Sequence, residues 1–527
     1  MMEAVADQAK VLDFLARAEA YESLPAKVER IETHASIVFL AGDLAYKVKR
    51  AVRYSFLDFS SLEKRHQACL NELAVNRRTA PHLYLDVVPV TRQEDGTFRL
   101  GGEGAPVEWV LVMRRFDQAK LLDRMAAEAR LPLALMAPLG EAIADFHASA
   151  DRFLGACRGV APLRKVLDDN AAALEAHAAL FPPEAVRAMV GRARESLAKL
   201  APLLEARALA GSVRHCHGDL HLRNIVEIDG MPVLFDAIEF DDAIATIDVL
   251  YDLAFLLMDL GARDLPAHAN AVLNAYLDAD AHTGNLIGLK ALPLFLSLRA
   301  MIRAKVELLR GEQSAEPTDA ATRASAYFAL AGDHLQVRAP RLIAIGGVSG
   351  SGKSTVARAL APRIGAFPGA VHVRSDVERK RLLGVSADAK LPEHGYTQEI
   401  TDIVYAICRK RAGIALEGGQ TVIVDAVHAR PEERDSIAAL AARAGVDFTG
   451  LWLQAPRSVL RERVGSRQRD VSDATPQIVD RQLAFDIGPQ SFAVIDAKRP
   501  LEQVVATCLA RIGEVAPQSW QLRLSPG

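Results

Sequence analysis

The chain has 527 residues, half of them hydrophobic and 24% charged, with a formal net charge of −3. One hydrophobic core does not organise that length, so about two to four domains are expected, and the composition excludes a disordered or collagen-like chain. Balanced charge removes any global electrostatic pull toward nucleic acid or an anionic membrane.

The five cysteines, Cys69, Cys157, Cys216, Cys408 and Cys508, are odd in number and never form a C-x-x-C pair, which argues against a disulfide framework or a zinc site. The N-terminus MMEAVADQAK carries acids where a signal peptide needs a basic and then an apolar run. VLYDLAFLLMDL and LIGLKALPLFLSL are interrupted by Asp or Lys and read as buried helices, not spans. A cytoplasmic protein acting on small molecules, with no membrane partner and little in its charge to favour nucleic acid, is expected.

In chain order, residues 28 to 52 alternate like a hairpin around Gly42-Asp43, and SSLEKRHQACLNELAVNRR reads as a helix capped by Ser60 or Ser61. Strands YLDVVPV and VEWVLVMRRF follow, then helix to about residue 210. HCHGDLHLRNIVEIDGMPVLFD, residues 215 to 236, interrupts that helical region, and helices resume from about 248 to 310. GEQSAEPTDAATRAS, from 311 to 325, is polar and turn-forming and marks a linker region. Beyond it, apolar runs RLIAIGG, HVRSD, TVIVDA and FTGLWLQ alternate with helical stretches, the pattern of a parallel sheet with crossover helices.

In the interrupting stretch, His217, Asp219 and Asn224 have the spacing H-x-D-x-x-x-x-N of a kinase catalytic loop. Phosphoryl transfer needs a carboxylate to orient a hydroxyl and accept its proton, and an amide oxygen to hold Mg²⁺ against a triphosphate. Asp219 suits the first role and Asn224 the second. Asp229-Gly230 is a strong hairpin signal, and the returning strand carries Asp236 back as a second hard oxygen ligand. His217 is read as a brace for the loop, Cys216 as a packing residue, and Asp248 and Asp252 as structural. The competing reading is a chance turn with solvated acids.

These residues resemble the aminoglycoside phosphotransferase family, which includes choline and homoserine kinase relatives and has a bilobal protein-kinase-like fold; the resemblance covers about residues 25 to 310. It implies Asp219 as catalytic base, Asn224 and Asp236 as magnesium ligands, Lys47 as the phosphate-binding lysine and Glu72 as its partner. Lys49, on the same strand face, is the alternative to Lys47. No G-x-G-x-x-G precedes Lys47, and LFDAIEF stands where protein kinases have D-F-G, so small molecules fit better than proteins as acceptors.

GVSGSGKST, residues 347 to 355, lies between an apolar strand and a helix, the setting of a phosphate-binding loop. Gly347, Ser349, Gly350, Ser351, Gly352 and Thr355 let backbone amides wrap phosphates, Lys353 reaches the β/γ oxygens, and Ser354 can ligate Mg²⁺. Asp376 ends the next apparent strand as a candidate base, Arg379 suits substrate binding, and Asp425 suits a magnesium contact. Arg461, Arg463, Arg467 and Arg469 recur at helical spacing, either as a lid over the triphosphate, with Arg461 and Arg467 stabilising developing charge, or as a solvated basic face. Residues 341 to 500 are similar to the small P-loop kinases grouped with gluconate kinase, chloramphenicol phosphotransferase and polynucleotide kinase.

The expected architecture is therefore α/β and α+β in two domains. A bilobal kinase-like domain spans 1–325, with lobes at about 25–118 and 119–325, followed by a linker at 326–340 and a P-loop domain with a doubly wound parallel sheet at 341–515. The expected function is bifunctional ATP- and Mg²⁺-dependent transfer of the γ-phosphate to hydroxyls of small molecules. Two alternatives stay open: a regulator or toxin-like switch with one catalytic half, and a C-terminal polynucleotide 5′-kinase.

Overall fold

A computed structural model describes residues 2–33, 35–54, 57–155, 158–280, 283–313, 317–386, 389–466 and 475–513. The chain divides into two compact units: Met1–Leu135 with Phe146–Arg158 and Ala208–Asp252, and Met136–Asp145 with Gly159–Arg207 and Leu253–Gly527. These units do not follow the expected boundary near residue 325. The segment carrying Asp219 belongs with the N-terminal sheet, and most of the following helices belong with the P-loop region.

The first unit is built on an antiparallel sheet of β1 (Val28–Glu32), β2 (Ser36–Ala41), β3 (Leu44–Lys49), β4 (Tyr84–Arg92), β5 (Phe98–Leu100) and β6 (Pro106–Arg114), in the order β1-β2-β3-β6-β4-β5. The β2–β3 turn falls on Gly42-Asp43 as expected, with Gly42 at φ +59°. Alternation along β3 sends Tyr46 and Val48 into a core with Val11 and Leu15 of helix α1 (Met2–Leu15). Lys47 and Lys49 point to the other face, toward α2 (Leu62–Asn76). Ser61 caps α2 by accepting from the Lys64 amide at 3.3 Å.

Further along this unit, β7 (Val213–His215) pairs antiparallel with β10 (Thr246–Asp248). Between them lies the hairpin of β8 (Ile225–Ile228) and β9 (Met231–Leu234), turning through Asp229 and Gly230 at φ +51° and +79°. Positive φ at both central residues is what the Asp-Gly pair supplies. Helix α3 (Val249–Ala262) begins where β10 ends.

The second unit combines helices, among them α4 (Pro266–Ala279), α5 (Leu292–Gln313) and α6 (Pro317–His334), with a five-stranded sheet. The segment Gly284–Gly311 is long and apolar enough to cross a membrane, but 72% of its most apolar window is buried inside the protein. The stretch expected to be a linker is instead largely α6. Ala320, Ala324, Tyr327 and Ala331 recur at helical spacing and are buried, and Arg323 pairs with Glu307 of α5 at 2.8 Å. Thr318, Asp319 and Thr322 occupy the exposed face of that helix, leaving 335–340 as the connector.

The sheet of this unit is parallel throughout, in the order β12-β13-β11-β14-β15, from β11 (Arg341–Gly346), β12 (Val371–Arg374), β13 (Val422–Asp425), β14 (Asp447–Gln454) and β15 (Ala493–Asp496). Ile343, Ile345, Ile423, Leu451 and Leu453 pack with Val356 and Leu360 of α7 (Lys353–Leu360) and with Val504 and Cys508 of the helix Leu501–Ile512. The strand order reverses direction at β11, so the loop after β11 opens at the topological switch point where such sheets bind ligands.

Candidate active sites

In the first unit, β3, α2 and the segment after β9 converge. Lys47 Nζ lies 2.7 Å from Glu72 Oε1 and 2.8 Å from Asp236 Oδ1. Lys49 Nζ pairs with Glu72 and with Glu239. Burial alone would lower the Lys47 pKa, but Asp236 and Glu72 hold it well above the usual lysine range. Burial would likewise raise Glu72 and Asp236, and the lysines pull both carboxyls below their ordinary values. Lys47, Glu72 and Asp236 therefore stay charged near neutral pH, while burial raises the Glu239 carboxyl above its ordinary value.

Asp236 adopts φ +61°, which costs a non-glycine residue about 1–2 kcal/mol. Its amide donates to the Tyr84 hydroxyl at 3.0 Å, and the Ala237 amide to Asn76 Oδ1 at 2.8 Å, which fix the turn that aims the carboxylate. The Phe235 amide donates to the Asn224 carbonyl at 3.0 Å, so the hairpin brings Asn224 and Asp236 together as the spacing predicted. Asn224 Nδ2 donates to the Asp219 carbonyl at 2.9 Å and to its carboxylate at 3.1 Å, leaving the amide oxygen for another ligand. His217 Nε2 donates to the Phe235 carbonyl at 2.9 Å, a brace as expected, and Cys216 is fully buried.

Asp252 is 0% exposed and accepts the amides of His217 at 3.1 Å and Gly218 at 2.9 Å, with His147 Nε2 3.1 Å away. Asp252→Ala would strand two buried donors at the loop, so a loss of about 3 kcal/mol is expected. Urea unfolding measures it, and a loss below about 1 kcal/mol would contradict the bracing role.

In the second unit, the loop after β11 carries Gly347 and Gly350 at φ +139° and +86°. A Cβ on Gly350 would meet the Leu460 carbonyl at 2.6 Å, so backbone approach here requires glycine. Lys353 Nζ donates to the Gly347 carbonyl at 2.9 Å, and the Ser349 amide to Gln482 Oε1 at 2.8 Å. Ser351 is 1% exposed, and its hydroxyl has no hydrogen-bond partner among the described residues. Ser354 Oγ donates to Asp425 Oδ2 at 2.5 Å. Burial would raise the Asp425 pKa, but His372, Lys353 and Ser354 hold it far below the usual carboxylate range.

A cavity of about 920 Å³ opens from this loop and is lined by Lys353, Ser354, Asp376, Arg379, Tyr396 and Asp425, so candidate base, loop and candidate metal residues share one space. Asp376 sits in the first turn of α8 (Ser375–Leu382). A second cavity of about 310 Å³ on the loop's other side is lined by Gly352, Thr355, Arg463, Ala497, Arg499 and Leu501. Arg461 is not gathered with these groups, which corrects its expected place. It shares a face of α9 (Arg457–Gly465) with Arg457, and both pair with Asp480 of α10 (Pro476–Leu483), at 2.9 and 2.8 Å. Arg463, two residues on and so on the opposite side of the helix, lines the smaller cavity. Arg467 and Arg469 lie outside the described residues.

Residues whose roles are set at long range gave no sequence signal: Glu239, Tyr84 and Asn76 in the first unit, and Asp278 in the second. Burial raises the Asp278 pKa from 3.8 to about 6 against the pull of Arg374, Arg381 and Arg411. A carboxyl whose folded pKa lies above its unfolded value favours folding while protonated. That contribution is complete below 3.8 and lost as pH rises through about 6. Relative to Asp278→Asn, the wild type should lose stability, up to about 2 kcal/mol, between pH 4 and 6.5. Thermal midpoints of the two proteins across that window check this; a constant difference would contradict it.

Residues 41–286 match the phosphotransferase enzyme family and residues 342–485 match the AAA domain family. Uncharacterized proteins of Mycobacterium tuberculosis and Mycobacterium bovis are 31% identical over 489 residues, covering 90% of this chain and 93% of theirs, so the likeness takes in both regions. Among solved structures, a choline/ethanolamine kinase family protein from Mesorhizobium loti shares 18% identity over 62% of this chain and 95% of its own, with a TM-score of 0.40. A gluconokinase from Sinorhizobium meliloti shares 23% identity over 34% of this chain and 95% of its own, with a TM-score of 0.26.

Proposed function

The chain belongs to the family that joins a phosphotransferase enzyme domain to an AAA-type P-loop kinase-like domain in one polypeptide, and on that premise we propose that it is bifunctional, each half moving the γ-phosphate of ATP to a hydroxyl of a small molecule. The observation that carries this reading is a repeated arrangement on two unrelated scaffolds: a lysine beside a pair of hard oxygen donors, Lys47 with Asn224 and Asp236, and Lys353 with Ser354 and Asp425.

Both donor sets suit Mg²⁺, which prefers carboxylate, amide and hydroxyl oxygens. The Asp236 side chain is 44% exposed and open to a ligand, and Asp425 is held deprotonated. When bound, the ion supplies positive charge against the triphosphate oxygens. In the first half, Lys47, anchored by Glu72, binds phosphate oxygens. Asp219, oriented by Asn224, takes the acceptor's proton as the new O–P bond forms and the bond to the β-phosphate breaks, releasing ADP. In the second half, loop amides and Lys353 bind the phosphates, and Asp376 takes the acceptor's proton.

A screen of hydroxylated small molecules for acceptor-dependent ADP release, run on the wild type, Asp219→Asn and Lys353→Ala, tests the reading. Two sets of acceptors are expected, one lost in each variant. A single set, untouched by one of the two substitutions, would leave that half as a nucleotide-binding regulator.

A further inference from the structure

The outer edge of the P-loop sheet is finished by a helix that lies outside the P-loop sequence. β12 is an edge strand, and its outward peptide groups would be left unpaired. Asn274 of α4 supplies two of the partners: its Nδ2 donates to the Ala370 carbonyl at 3.2 Å and its Oδ1 accepts the His372 amide at 2.7 Å. Asn270 adds a second donor to the Ala370 carbonyl at 3.0 Å. At the far end of α4, Arg411 Nη2 donates to the Leu277 carbonyl at 3.1 Å and Arg381 Nη2 to the Asp278 carbonyl at 2.6 Å. Two orphan carbonyls in the helix's last turn are thereby satisfied by cations of the P-loop region, where the helix dipole favours them.

The edge contact continues inward. His372 is 5% exposed and its Nε2 lies 3.3 Å from Asp425 Oδ2, the oxygen that also accepts from Ser354. A side chain that lies before the P-loop region in sequence is therefore linked through one backbone amide and one imidazole to the two residues read as the magnesium donors of that unit.

We propose that Asn274 is a positioning residue for the P-loop cradle: by pinning His372 on the edge strand it sets Asp425 and Ser354, so a helix that precedes the P-loop region in sequence but packs in the same unit completes the magnesium end of the cradle. This rests on the P-loop reading above. Partners behind a metal ligand typically change metal affinity by about 10- to 100-fold when removed.

The test is ATP binding to the full chain by calorimetry over a range of Mg²⁺ concentrations, in a Lys47→Met background that silences the first cradle. Asn274→Ala is expected to raise the Mg²⁺ concentration for half-maximal binding about tenfold. His372→Phe, which keeps the ring and removes the link, should do the same, and the double variant should add nothing further. Arg381→Met, which removes the bond to the Asp278 carbonyl at the end of α4 and leaves the Asn274–His372 pairing in place, should lower the thermal midpoint and leave the Mg²⁺ requirement unchanged. An unchanged requirement in Asn274→Ala or His372→Phe, or an equal shift in Arg381→Met, would overturn the inference; should Asn274→Ala fail to fold, His372→Phe decides alone. If Lys353→Ala leaves binding intact in this background, the P-loop reading falls first and the inference with it.

Discussion

Asp219→Asn, made in a Lys353→Ala background so that only the first half turns over, is expected to slow acceptor-dependent ADP release by about 10²- to 10⁴-fold, the usual worth of a positioned general base. Asparagine preserves the shape of the side chain but cannot accept the acceptor's proton. Asp219 is distinct from the lysine and carboxylate cluster that would bind nucleotide, since its contacts are to Asn224 and His221. ATP affinity should therefore stay within about twofold, and the loss should fall on kcat. A comparable fall in ATP affinity, or a rate within about tenfold of the parent, would show that Asp219 is not the base.

Lys353→Ala should weaken ATP binding at the second half by about 100-fold. In the structure the Lys353 ammonium rests on the Gly347 carbonyl, with the Val348 carbonyl 3.4 Å away. These neutral acceptors are ones that phosphate oxygens would displace. Each charge-assisted bond to phosphate is worth about 1.5–3 kcal/mol, so losing one strong bond or two weak ones accounts for a change of that size. Calorimetric titration in the Lys47→Met background measures it. An affinity within about threefold of the parent would mean that the loop does not hold a triphosphate.

The parts of both sites that were legible in the sequence are those set by local spacing. His217, Asp219 and Asn224 lie within one loop, Asp229-Gly230 dictates the hairpin that returns Asp236, and the glycine loop from 347 to 354 needs only its own backbone. Period two along β3 left Lys47 and Lys49 equivalent, because both face α2. The structure separates them: both meet Glu72, but Lys47 alone of the two reaches Asp236, while Lys49 is held by Glu239. That distinction depends on pairing across about 190 residues of sequence, which no local pattern encodes.

Arg461 and α6 were misplaced for related reasons. The arginine spacing showed a helical face but not which way it turns, and Asp480 claims the face that holds Arg457 and Arg461. In α6, polar composition outweighed the alanine and tyrosine stripe that buries against its neighbours. The partnership of Asn274 with β12 could not be anticipated, since it joins a helix and an edge strand that the sequence assigns to different halves.

The number of ATP molecules bound per chain, determined calorimetrically in saturating Mg²⁺, tests the central claim most directly. Two cradles on separate scaffolds predict two bound nucleotides in the wild type, one in either Lys47→Met or Lys353→Ala, and none in the double variant. A single nucleotide in the wild type, or two remaining in either single variant, would contradict it.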